Sequence, residues 1–82
     1  MNNIRWVHED KHPFDSVIES SKFRAVVLRL GFHREVWSVF AKDDIGYRQL
    51  AVGYVSTRKD GIAAAENELR KLFPEVDLDS SL

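Results

Sequence analysis

A metalloprotease-like spacing lies near the N-terminus, where residues 8–12 read HEDKH. In zinc peptidases, a helix carrying H-E-x-x-H places both imidazoles on one face, and the glutamate activates a water molecule. Here Pro13 follows the second histidine directly, and helices usually end before such a position. The segment also has no apolar stripe that would dock a helix against a core. We therefore interpret the match as coincidental and predict neither a metal site nor a cofactor.

A second chemical feature is the pair Arg58 and Lys59, which follows Thr57 at the start of the clearest helical pattern, Ser56 to Phe73. Cations at a helix N-terminus oppose its partial positive charge and weaken the helix slightly. The same position suits a phosphate, because free backbone N–H groups and two long cations point toward one anion. Arg58 and Lys59 are therefore either phosphate contacts or solvated side chains that begin a helix.

The helix that must position this pair has clear start and stop signals. Thr57 can cap its first turn, and Asp60 lies three residues further on, where Glu or Gln is usual in a capping box. Pro74 ends it, because proline cannot continue the hydrogen-bond ladder. One apolar stripe predicts the face that packs on a core, namely Ile62, Ala65, Leu69, Leu72 and Phe73.

Other catalytic signatures are missing from the sequence. It contains no cysteine nucleophile, P-loop, Ser-His-Asp order or glycine-rich dinucleotide turn. Asp43 and Asp44 precede Gly46 and are typical of a turn. His33 stands alone in a predicted loop, which favours a surface or phosphate-contacting role over catalysis. We therefore predict a protein that is not an enzyme.

The length and composition bound the remaining possibilities. Eighty-two residues predict one small domain, and the absence of cysteine fits a reducing compartment. We expect a cytoplasmic protein without a membrane partner, because neither a signal peptide nor a spanning run is present. The net charge of −1 counts against a dedicated nucleic-acid module. The middle of the chain nevertheless carries Lys22, Arg24, Arg29, Arg34, Arg48, Arg58 and Lys59.

The patterning predicts an α+β domain of the order α-β-β-β-α. A short helix is predicted over 14–21, because Phe14, Val17 and Ile18 share a helical face. Strands are predicted over 23–30, 35–42 and 47–55, and their short connections favour an antiparallel meander. We expect an N-terminal segment at 1–12, one domain at 13–73 and an acidic tail at 74–82.

The predicted strands are apolar on both faces, although two helices can cover only one face of so small a sheet. An antiparallel sheet with a wet face normally alternates apolar and polar residues. The second apolar face therefore needs a cover, either the N-terminal segment around Trp6 or another copy in a homodimer. We assign the exposed interface to Phe23, Ala25, Val27, Trp37 and Val39.

From Pro13 to Phe73 the element order resembles the double-stranded RNA-binding domain. That family carries a Gly-Pro-x-His loop between its first two strands, and residues 31–34 (GFHR) keep the glycine and a nearby histidine without the proline. The family's glycine-rich third strand is followed by Ser-Lys-Lys-x-Ala-Lys and an alanine-rich helix. Gly53, residues 57–62 (TRKDGI) and the alanines at 63–65 stand in the corresponding order.

The resemblance implies that Arg58 and Lys59 reach phosphates across a major groove, while the loop and the first helix reach minor grooves. The second half of the chain is also similar to the AP2-like and integrase arm DNA-binding domains, on Trp37, residues 46–48 (GYR) and residues 53–57 (GYVST). Those domains read the major groove with Arg and Trp on the exposed face of the sheet. The predicted exposed face is apolar here, so sequence-specific DNA binding ranks below backbone-directed RNA binding.

Two functions remain as hypotheses. The first is a small regulatory protein that binds double-stranded or structured RNA. The second is a protein–protein interaction module, such as an inhibitor or an accessory protein of a phage or mobile element, acting through an apolar sheet face. The residues assigned to RNA contact in the first hypothesis are Lys22, His33, Arg34, Arg58 and Lys59.

Overall fold

In the computed structural model, which describes residues 4–8, 16–75 and 78, five antiparallel strands form one sheet and a helix packs on one side of it. The strands occur in the sheet in chain order, so the fold is a meander followed by a helix. The elements are β1 (Val7–His8), β2 (Ser16–Glu19), β3 (Phe23–Gly31), β4 (Arg34–Asp43), β5 (Gly46–Val55) and α1 (Arg58–Leu72).

The predicted α-β-β-β-α order is wrong, because the segment Ser16–Glu19 is strand β2 rather than part of a first helix. Ser16 and Ile18 point into the core while Val17 and Glu19 point away, which is the two-residue alternation of a strand. Pairing along β3 stabilises this conformation and outweighs the weak helical spacing of so short a segment. The element order that carried the resemblance to the double-stranded RNA-binding domain is therefore not present.

The three long strands and the C-terminal helix lie where the sequence predicts them, with ends that differ by one or two residues. The Thr57 hydroxyl accepts a hydrogen bond from the backbone N–H of Asp60 at 3.1 Å, which confirms the predicted N-cap. At the other end, the backbone N–H of Phe73 donates to the carbonyl of Leu69 at 2.7 Å before Pro74.

The core lies between α1 and the side of the sheet that faces it. Three residues of the predicted helical stripe are buried, and each lies one helical turn from the next. They pack against side chains of β2, β3 and β4, so the helix is held by burial of apolar surface. The core consists of Trp6, Ile18, Phe23, Ala25, Val27, Val39, Ile62, Ala65 and Leu69.

The N-terminal residues close one flank of this core. Trp6 is 8% exposed, and its indole N–H donates a hydrogen bond to Glu66 Oε2 of α1 at 2.8 Å. Ile4 forms a parallel bridge with Leu78, and both are packed against the core. Trp6 thus covers the helix side of the sheet, and it leaves the opposite side uncovered.

Two glycines allow close approaches that other residues would block. A Cβ on Gly53 would lie 2.5 Å from Nε1 of Trp37, the residue directly opposite it on β4. A Cβ on Gly61 would lie 2.8 Å from Cγ1 of Val27, so the backbone of the first helical turn packs directly on a side chain of the sheet. Gly31, by contrast, faces open space.

Among the described residues, none forms a helix that could span a lipid bilayer.

We expect Gly53→Ala to lower the free energy of unfolding by about 1–3 kcal/mol, because the added methyl group overpacks the site beside the Trp37 ring. Gly31→Ala is the matched control, since nothing lies within 4 Å of its Cβ, and it should stay within about 0.5 kcal/mol of the parent. Urea denaturation measures both values. Equal stability of the two variants would contradict the close Trp37–Gly53 packing.

Candidate functional site

The side of the sheet opposite α1, which we call the open face, is the largest functional candidate. Residues that pair directly across antiparallel strands point to the same side, so the registers define its membership. The open face comprises Val7 of β1; Val17 and Glu19 of β2; Arg24, Val26 and Leu28 of β3; Val36, Ser38, Phe40 and Lys42 of β4; and Tyr47, Gln49, Val52 and Tyr54 of β5.

Most of the open face is apolar, although no described residue covers it. Tyr54 is 73% exposed, Val7 62%, Tyr47 50% and Val52 47%. Its charged residues Glu19, Arg24 and Lys42 all lie at one end. Water-facing sides of antiparallel sheets are usually polar, and contiguous exposed apolar surface marks an interaction site.

The charged end of the open face is organised around Glu19. Glu19 Oε2 accepts hydrogen bonds from Lys42 Nζ and from the Tyr47 hydroxyl, both at 2.9 Å. The Tyr47 ring in turn contacts two cations, Arg24 at 5.6 Å and Lys42 at 5.8 Å from its centroid. These contacts join β2, β3, β4 and β5 across the sheet.

The ionisation of Glu19 and Lys42 follows from these hydrogen bonds. The hydrogen bond from Lys42, followed by that from Tyr47, lowers the pKa of Glu19 below its ordinary value of 4.5. The Lys42 ammonium has a raised pKa, chiefly because of its hydrogen bond to Glu19. Both groups are therefore charged at neutral pH, and their charges offset one another.

Arg24 has a different environment within the same end. Its side chain lines a cavity of about 320 Å³ together with Val26, Leu28, Phe40 and Tyr47. Its Nε atom is buried and makes no hydrogen bond with the described residues. Glu19 is its direct cross-strand neighbour, but Oε2 of that carboxylate is bonded to Lys42 and Tyr47. The cavity thus combines apolar walls with a guanidinium group that lacks an acceptor at Nε.

Four of the five residues assigned to RNA contact lie at the opposite end of the sheet, which we call the helix-start end. His33 is in the β3–β4 turn with a φ of 58°, and Arg34 begins β4. Arg58 and Lys59 begin α1 at the same end, because β5 runs antiparallel to β4. Together with His8 and Ile62, Arg58 and Lys59 line a cleft of about 380 Å³.

Lys22 does not join them. It lies in the β2–β3 turn, at the other end of the sheet. Strand β3 has nine residues and rises about 3.3 Å per residue, so about 30 Å separates Lys22 from the β3–β4 turn that contains His33. Its ammonium donates to Glu75 Oε2 at 3.1 Å. A single anion cannot contact all five predicted residues.

The residues assigned to an exposed interface occupy the wrong side of the sheet for that role. Phe23, Ala25, Val27 and Val39 are each 0% exposed because α1 covers them, and they form the core. Trp37 is half-buried on the same side, beside Gly53. The uncovered apolar side is instead the open face.

The metalloprotease-like spacing is only partly within the described residues. His8 belongs to β1 rather than to a helix, and its Nδ1 lies 2.8 Å from the Ser16 hydroxyl. Residues 9–12 lie outside the described ranges. Within those ranges, no group of three or more His, Cys, Asp or Glu residues is placed to hold a metal ion.

The residues missed by the sequence interpretation are Glu19, Arg24, Lys42 and Tyr47. The sequence predicts a helix at Glu19, and a helix there does not indicate the partnership of Glu19 with Lys42. The alternation in β3 does not separate its two sides, because each carries one arginine, Arg24 on the open face and Arg29 on the side that faces α1.

No family model matches this chain, and comparison with the curated proteins and with the solved structures gives no match either. The fold and the two candidate surfaces are therefore the basis for a functional proposal.

Replacing Lys42 with methionine should raise the pKa of Glu19 toward 4.5, because it removes the largest cause of the lowered value. In the parent, the ion pair stabilises the fold above the ordinary pKa, and this contribution is lost as the pH falls through the lowered pKa. A carbon-detected NMR titration of the Glu19 carboxyl group measures the midpoint. Lys71→Met, on α1, should leave it unchanged; a parent midpoint at or above 4.5 would contradict the contact.

Proposed function

We propose that this protein is a non-catalytic interaction module that binds a protein partner through the open face. The observation that supports the proposal is the contiguous apolar surface on the side of the sheet opposite α1, with Val52 and Tyr54 among its most exposed members. Keeping this surface in water forfeits about 25 cal/mol for each Å² of apolar area that a partner would bury. Docking of a partner recovers part of that free energy, because association also costs translational and rotational freedom.

The composition of the open face supports a protein partner rather than a nucleic acid. Tyrosine and phenylalanine are enriched at protein interfaces, and charged residues are depleted in their centres. Here Tyr47, Phe40 and Tyr54 lie among aliphatic residues, and the charges lie at one end. Lys42 is neutralised by Glu19, so the face lacks the array of free cations that a phosphate backbone requires.

The proposal predicts position-dependent photocrosslinking. A benzophenone amino acid at Tyr54, an exposed aromatic position, should give a discrete crosslinked species in the cells that produce the protein. The matched control is the same amino acid at Ile45, which is 96% exposed in the β4–β5 turn and lies outside the open face. Mass spectrometry of the crosslinked product distinguishes a second copy of this chain from another protein.

The proposal also requires that the crosslink depend on the apolar surface. Val52→Thr keeps β propensity while removing apolar contact, so it should reduce the yield from position 54 severalfold. Equal yields from positions 54 and 45, no product from position 54, or a product insensitive to Val52→Thr would each count against docking at the open face.

A second candidate function is binding of duplex or structured RNA at the helix-start end. The observation that favours it is the location of His33, Arg34, Arg58 and Lys59 at one end of the sheet, beside the cleft that His8 also lines. Cations that converge on a phosphate backbone bind with little sequence discrimination and release counterions. Lys22 is not part of this candidate site.

For this second function, we expect Arg58→Glu with Lys59→Glu to weaken binding to an RNA duplex of about 20 base pairs by at least about tenfold at low salt. The control is Arg48→Glu with Lys71→Glu, an equal change of charge at the far end of the molecule, which should change the affinity little. Fluorescence anisotropy titrated with salt measures both. Binding that is insensitive to salt, or equally weakened by both pairs, would exclude the site.

A further inference from the structure

We propose that the open face selects its partner through a carboxylate group, which Arg24 binds in the cavity formed by Val26, Leu28, Phe40 and Tyr47. The ligand is an aspartate or glutamate side chain of the partner, flanked by apolar residues. This inference rests on the proposed function, and it specifies the chemistry of the surface that the partner presents.

The first support is the unused hydrogen-bonding capacity of Arg24. An arginine side chain carries five N–H donors, and those of Arg24 form no salt bridge with a carboxylate of the described residues, whereas Arg29 pairs with Glu35 and Lys22 with Glu75. Nε of Arg24 is too deeply buried for a ligand to reach. The donors that a ligand in the cavity can use are therefore those of the terminal guanidinium nitrogens.

The second support is that the guanidinium is already held in position. The Tyr47 ring lies 5.6 Å from the Arg24 guanidinium carbon, a distance suited to a cation–π interaction. The Tyr47 hydroxyl is itself fixed by its hydrogen bond to Glu19. A guanidinium held in this way loses little conformational freedom when it pairs with a carboxylate, and the planar groups suit one another.

The third support is that the local charge favours a single carboxylate over a phosphate. Lys42 is paired with Glu19, so Arg24 supplies the net charge of about +1 at this end of the open face. A phosphate dianion would approach the Glu19 carboxylate without a second free cation to offset the repulsion. The walls of Val26, Leu28 and Phe40 instead accommodate the apolar groups beside an acidic side chain.

The test uses a pair of peptide probes that differ only in charge, N-acetyl-Leu-Glu-Leu-amide and N-acetyl-Leu-Gln-Leu-amide, titrated into the full chain. Nitrogen–proton NMR follows the Arg24 Nε–Hε resonance and the amides of Val26 and Leu28. We expect the Glu peptide to shift these signals and to bind at least about fivefold more tightly than the Gln peptide, because a charge-assisted hydrogen bond forms with the Arg24 guanidinium group.

Variants locate the effect at Arg24. Arg24→Gln should remove the preference for the Glu peptide, and Arg24→Lys should remove most of it, since lysine keeps the charge but lacks the planar fork. Arg48→Gln is the matched control, because Arg48 is an exposed arginine on β5 outside the open face. Thermal unfolding shows whether the two Arg24 variants are folded. If neither is, the affinities of the parent protein for the Glu and Gln peptides still test whether the cavity prefers a carboxylate.

Equal affinity for the two peptides, shifts confined to residues outside the cavity, or an unchanged preference in Arg24→Gln would each overturn the proposal. The outcome is separable from that of the proposed function. Crosslinking at Tyr54 without a preference for the Glu peptide would mean that the open face docks a partner by other contacts. A Glu preference at Arg24 without crosslinking at Tyr54 would support the carboxylate site and contradict the docking function.

Discussion

The structure depends on one amphipathic helix that packs against one side of a five-stranded sheet. A helix with its side chains is about 10 Å wide, whereas five strands spaced by about 4.8 Å extend over about 20 Å. The helix therefore cannot cover the side it faces without help, and Trp6 closes one flank through its contact with Glu66. Nothing comparable in the described residues covers the other side. Because α1 is the one helix in the described parts of the chain, the second apolar side of the sheet has no helix to cover it.

This constraint also explains the pattern of small and large residues. Ala25, Gly61 and Ala65 lie between α1 and the sheet, where they allow the two elements to approach closely. Larger side chains such as Phe40, and large, partly polar ones such as Tyr54, lie on the open face, where no described helix limits their size. The two apolar sides of the sheet are thus chemically different. One is shaped for close internal packing, and the other carries the aromatic and charged groups typical of a binding surface.

The sequence predicts the three long strands, their antiparallel connection and the C-terminal helix, because each has a long periodic pattern and clear turn or cap residues. It does not predict β2, since the four residues Ser16–Glu19 fit helical and strand periods almost equally and only their pairing with β3 decides. Alternation shows that β3 and β4 are apolar on two sides. It does not show which side receives the helix, and that ambiguity placed Phe23 and Val39 at a surface rather than in the core.

The contacts at the charged end of the open face could not be predicted either, because they also depend on how the strands pair. The pair at Arg58 and Lys59 can be predicted because both residues lie in one cap, whereas the contacts of Glu19 with Lys42 and Tyr47 join residues 23 and 28 positions apart in the chain. Such contacts follow from register rather than from local spacing.

Strand β5 lies at the border of the sheet, paired on one side with β4. Its ladder is interrupted where the register shifts between Val39 and Phe40, so that Leu50 is an extra residue. A bulge of this kind increases local twist and spoils the straight backbone template on which further strands would assemble. The charge of Arg48 adds to this protection. The bulge and the charge of Arg48 therefore oppose edge-to-edge pairing of β5 with further strands, and so oppose fibril formation, although the strand is long and largely apolar.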